Sequence, residues 1–190
     1  MSAASEILSI PEVRARVSLV SVAQYHRLAE FDEAGSRTEL IRGIVIEKMS
    51  KSPLHSSIAR RLFKLLQELI PEGFTLLRED PLTFSDSEPE PDLAVVRGME
   101  TEFVDKHPST AELVIEIAVS SAVLDREKAS VYAVAGVKEY WIILATERRV
   151  EIYRAPEAGS YRELSVAEGD AVLECAALPG VRVPLAELFA

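Results

Sequence analysis

Apolar positions along this chain follow two rhythms. In residues 55–70, Ile58, Leu62, Leu65, Leu66 and Leu69 fall at i, i+4, i+7, i+8 and i+11, which predicts one amphipathic helix. Pro71 and Gly73 end it. Residues 113–119, LVIEIAV, instead form a continuous apolar run rich in β-branched side chains, the pattern of a strand buried on both faces. A second apolar run, 140–145, follows a helical stretch at 121–135 that stops at Gly136. Strand, helix and strand predict a β-α-β unit with parallel strands and a right-handed crossover.

Weaker signals fill in the rest. Ser21 is placed to cap a helix reaching Ala29, with Val22, Tyr25 and Leu28 on one side. Residues 39–49, ELIRGIVIEKM, predict a β-hairpin turning at Arg42-Gly43. Short strands are expected at 75–79, 82–85 and 92–97, the last entered through the stiff run Glu88-Pro89-Glu90-Pro91. Residues 149–175 should add two or three antiparallel strands near an edge. Residues 1–17, punctuated by Pro11, are expected to be an N-terminal extension to a single domain at 18–190. The fold class is therefore α/β or α+β, a mixed central sheet flanked by helices with extra hairpins.

Composition narrows the function classes. A chain of 190 residues, 48% hydrophobic and 27% charged, has the makeup of a globular domain with a sizeable core. No apolar run approaches the roughly 20 residues that span a bilayer, and the N-terminus lacks a signal-peptide pattern. One cysteine, Cys175, excludes an internal disulfide and a cysteine metal cluster within one chain. A cytoplasmic location is expected, with no membrane partner. The net charge of −10 counts against broad, non-specific nucleic-acid binding, yet carboxylate-rich metal clefts are themselves acidic.

Glu116 interrupts the most apolar strand in the chain. A buried charge needs a cation, a proton or a hydrogen-bond donor. Lys128 is the nearest candidate, because it lies one turn beyond Leu124 in the apolar stripe shared with Val131 and Ala135. Asp125, Arg126 and Glu127 project toward the edges of that stripe. Asp92 opens the preceding strand, and consecutive strands are neighbours about two-thirds of the time. Two carboxylates on adjacent strands suit a hard divalent cation such as Mg²⁺. Taken singly, Asp92 reads as a turn residue after proline and Lys128 as a lysine snorkelling past a core edge.

Four blocks now carry a resemblance: residues 39–55 (ELIRGIVIEKMS with SPLH), 91–96 (PDLAVV), 113–121 (LVIEIAVSS) and 125–143 (DREKASVYAVAGVKEYWII). In this order, across roughly residues 18–155, they resemble the Uma family of restriction-endonuclease-like proteins within the PD-(D/E)xK nuclease superfamily. The resemblance implies a Mg²⁺- or Mn²⁺-dependent endonuclease acting on DNA. Asp92 and Glu116 would ligate the metal with the backbone carbonyl of Ile117, and Lys128 would serve as the catalytic lysine. The position two after Glu116 is Ala118 rather than the superfamily's lysine, so Lys128 stands in from the following helix. Val119-Ser120-Ser121 also departs from the Ser-Pro-Ser of many relatives.

Glu39 and His55 are auxiliary candidates. A surface carboxylate and a polar neighbour of a helix cap are the plainer readings of each. Glu79 and Asp80 are assigned to a solvated turn, Tyr140 and Trp141 to the core, and Arg60, Arg61 and Lys64 to a solvated helix face. Two rival functions stay open: a catalytically inactive nuclease fold used for binding or assembly, and a metal-dependent hydrolase of a small phosphoester. Exposed edge strands leave room for a homodimer.

Overall fold

The computed structural model describes residues 3–29, 37–120 and 122–190. Two short helices, α1 (Ala3–Leu8) and α2 (Pro11–Arg14), precede α3 (Val22–Ala29). The Ser21 hydroxyl caps α3 by accepting the Gln24 N–H at 3.3 Å. Val22 and Tyr25 are partly buried there, whereas Leu28 is exposed.

Strands β1 (Thr38–Ile41) and β2 (Ile44–Glu47) form the expected hairpin. Arg42 and Gly43 both have positive φ, 49° and 76°, as a two-residue hairpin turn with the twist of its strands requires. Helix α4 (Pro53–Leu69) follows, then β3 (Phe74–Arg78), β4 (Leu93–Arg97), one 3₁₀ turn and β5 (Leu113–Ala118). Next come α5 (Val123–Val134), β6 (Glu139–Leu144), β7 (Arg149–Glu157), β8 (Ser160–Glu168), the short pair β9 (Val172–Glu174) and β10 (Arg182–Pro184), and α6 (Leu185–Leu188).

The central sheet has six strands in the order β3-β4-β5-β6-β7-β8. β5 and β6 are parallel across the α5 crossover, and the other neighbours are antiparallel. Period-2 alternation splits its side chains between two cores. Leu93, Val95, Leu113, Ile115, Ile117 and Trp141 pack with Ile58, Leu62 and Leu66 of α4. Ala94, Val96, Val114, Ala118, Tyr140 and Ile142 pack with Ala129 and Tyr132 of α5. Each fully buried leucine or isoleucine contributes about 1.5–3 kcal/mol.

Residues 82–85, expected as a strand, are instead a loop. Pro81, Pro89 and Pro91 cannot donate to a ladder, and the chain reverses at once: the Phe84 N–H bonds the Ser87 carbonyl at 2.8 Å. Helix α5 begins two residues later than the expected 121, at Val123; Ser121 lies outside the described residues. Leu124, expected on its buried stripe, is partly exposed. No described helix is long and apolar enough to cross a membrane.

Candidate active site

By alternation along β5, Glu116 shares a face with Val114 and Ala118, toward α5. That geometry places Lys128, on the inner side of α5, directly over it. The Lys128 ammonium donates to Glu116 Oε1 at 3.0 Å and lies 2.8 Å from Glu39 Oε1. The Tyr132 hydroxyl, one turn further along α5, also donates to Glu116 Oε1 at 3.0 Å. Glu116 Oε2 accepts a longer bond, 3.4 Å, from the Asp92 N–H.

Asp92 sits just before β4. Its Oδ2 accepts the Ile117 N–H and faces His55 Nε2, each at 2.9 Å, while Oδ1 receives the Lys51 ammonium at 3.0 Å. His55 is delivered by local chemistry. Ser52 caps α4 through the His55 N–H, Pro53 begins the helix, and the first turn then points the imidazole at β4.

The hairpin brings Glu39. Its strand bonds the 86–88 segment through Leu40 and Glu88, and the Arg42 guanidinium reaches Ser130 on α5 at 2.7 Å. Glu39, Asp92, Glu116 and Lys128 are all less than a tenth exposed.

The structure therefore brings all five sequence-predicted side chains, Asp92, Glu116, Lys128, Glu39 and His55, into one cleft of about 200 Å³. Three further members were missed. Asp125, assigned to the helix edge, lines the cleft, as does Lys51. Glu79, assigned to a solvated turn, holds Lys51 at 2.8 Å and Arg37 at 2.9 Å from its rim. Only Asp125 had a sequence signal, its place one turn before Ala129 on the buried side of α5.

Burial sets the electrostatics. Desolvation pushes the Glu116 carboxyl above the usual range; Lys128 opposes this, and Asp125, Asp92 and Glu39 add to it. Burial also raises Asp125, again with help from Asp92 and Glu39. Asp92 moves the other way, to about 2, because His55 and Lys51 outweigh its desolvation. Burial works against the Lys128 charge, but Glu116 and Glu39 overcome it and hold its pKa above the usual lysine value.

These residues fit a divalent cation. The lining carries five carboxyl groups (Glu39, Glu47, Asp92, Glu116, Asp125) and three lysines (Lys48, Lys51, Lys128). Among the described residues no three His, Cys, Asp or Glu side chains form a ready metal cage. Mg²⁺ does not need one, since it commonly takes one or two carboxylates and keeps several waters.

A mixed sheet with one helix layer on each face, and an acidic cleft at the start of β4 beside the C-terminal half of β5, define a restriction-endonuclease-like protein. Residues 22–186 match the Uma2 family, described as "Putative restriction endonuclease", and the chain belongs to that family. It is also similar to the crystal structure of a "putative nuclease belonging to DUF820" from Anabaena variabilis. That similarity has a TM-score of 0.76 and 20% identity, over 90% of this chain and 97% of that one. No curated protein matches the chain.

Proposed function

We propose that this protein is a metal-dependent endonuclease hydrolysing phosphodiester bonds of DNA. The observation that carries this reading is the meeting of Asp92, Glu116 and Lys128 in one cleft, two carboxylates on adjacent strands with a buried lysine beside them. Mg²⁺ or Mn²⁺ would be held by the Asp92 and Glu116 carboxylates and the Ile117 carbonyl, supplying Lewis-acid activation of phosphate and water.

The chain's own groups do the remaining work. Lys128 presents a fixed positive charge that stabilises the developing charge on the phosphate. Glu39, 2.8 Å from that ammonium, helps Glu116 to orient it. His55 and the Ile117 N–H lock the Asp92 carboxylate, so its direction does not depend on substrate.

The test is cleavage of supercoiled plasmid and single-stranded DNA with Mg²⁺ or Mn²⁺, before and after EDTA. Cleavage should vanish with the chelator, return with added Mn²⁺, and fall at least about a hundredfold in Asp92→Ala. Equal activity of Asp92→Ala and wild type would sink the assignment. One observation favours a second reading, an inactive nuclease fold used for binding: the net charge of −10 repels a polyanion. Calorimetry showing no divalent binding to the wild-type protein would select it.

A further inference from the structure

Three partners surround the Asp92 carboxylate, and they are not equally free to make way for a cation. Two of them hold Oδ2 from rigid elements, the Ile117 N–H within β5 and His55 in the first turn of α4. The third, Lys51, holds Oδ1 from the loop joining β2 to α4, on a flexible four-carbon stem. Oδ1 is therefore the exchangeable oxygen, and its lone pairs are those that a hard cation would use.

We propose that Lys51 is a resident counter-ion of Asp92, displaced when a divalent cation binds, and that the displaced ammonium then takes a phosphate oxygen of the substrate. The inference rests on the metal-dependent reading above. Replacing one positive charge by two on Asp92 suits a cleft whose lining carboxyl groups outnumber its lysines.

A second anchor keeps the displaced lysine in place. Glu79 Oε1 lies 2.8 Å from the Lys51 ammonium, and its other oxygen is pinned by Arg37 at 2.9 Å. Glu79 adopts a left-handed backbone, φ 59°, which non-glycine residues rarely take. After leaving Asp92, Lys51 thus stays at the cleft rim. An ammonium there is a point-charge partner for phosphate.

The experiment measures Mn²⁺ binding by calorimetry and binding of a fluorescent single-stranded oligonucleotide by anisotropy, with Ca²⁺ present. Lys51→Met, which keeps the stem and removes the charge, should bind Mn²⁺ roughly tenfold tighter than wild type. It should also bind the oligonucleotide roughly tenfold more weakly, having lost one phosphate contact. Lys51→Arg should stay within about threefold of wild type on both measurements. Mn²⁺ affinity in Lys51→Met equal to or weaker than wild type overturns the displacement, and unchanged oligonucleotide binding overturns the substrate contact. Asp92→Ala separates the two levels. If it binds Mn²⁺ like wild type, the metal reading fails and takes this inference with it. If Asp92→Ala loses Mn²⁺ binding and Lys51→Met binds it like wild type, the metal reading stands and this inference falls alone.

Discussion

Lys128 lies nearer to Glu39, at 2.8 Å, than to Glu116, at 3.0 Å. The lysine thus clamps the hairpin to the central sheet as well as neutralising the strand carboxylate. An ammonium shared by two buried carboxylates is costly to remove, because both anions are left behind in low dielectric.

Lys128→Met should accordingly destabilise the protein by about 3 kcal/mol. The double variant Lys128→Met/Glu116→Gln should recover part of that loss, since one stranded charge is gone. Urea unfolding of the three proteins measures this, and a double variant no more stable than the single one would contradict it.

Gly43 allows the hairpin to dock. With φ at 76°, a Cβ built there would lie 2.7 Å from Leu19 Cβ and 3.1 Å from the Val20 carbonyl. Gly43→Ala should therefore cost about 2 kcal/mol through left-handed strain and crowding. Because β1 carries Glu39, cleavage should fall as well, even in the fraction that remains folded. Thermal melts combined with plasmid cleavage test both effects.

Glu139 is a buried structural staple away from the cleft. Its Oε1 accepts from Trp141 Nε1 at 2.7 Å and Arg154 Nε at 3.0 Å, and its Oε2 accepts the Ala176 N–H at 2.7 Å. Glu139→Ala leaves those donors unpaired, a loss of about 3 kcal/mol. Trp141 is the single tryptophan, so its emission should shift when that bond is lost. Catalysis by the folded fraction should persist.

Cys175 should be inert in the native state. Burial first, then the neighbouring Glu139 carboxylate, push its thiol from 9.0 up to about 12. The folded protein therefore holds the thiol proton more tightly than the unfolded chain. This contribution to stability is complete below pH 9 and is lost as pH rises through about 12. Iodoacetamide at pH 8 should leave the folded protein unmodified and label it once in urea; mass spectrometry of native protein carrying the adduct would refute this.

Much of the frame is legible in residue order because it is written in local periods. The α4 stripe, the β5 and β6 runs and the Arg42-Gly43 turn each specify an element from neighbouring residues alone. Residues 82–85 misled because alternation there is short, and the prolines around it set a reversal that a hydrophobic pattern does not encode.

Glu116 and Lys128 were recoverable for the same local reason. One strand leads directly into one helix, so strand alternation and helical pitch together predict that the two side chains face each other. Asp92 followed from the tendency of successive strands to pair. The sequence by itself thus determined the central sheet's first parallel unit and the charge pair at its heart. Only the tertiary structure decided that Lys51 and Glu79 join them, and that Glu39, an auxiliary candidate in the sequence, reaches Lys128. Those contacts depend on how the hairpin, the loop before α4 and the turn after β3 dock against the sheet. Docking is set by packing and hydrogen bonds between segments far apart in the chain, which no local period records.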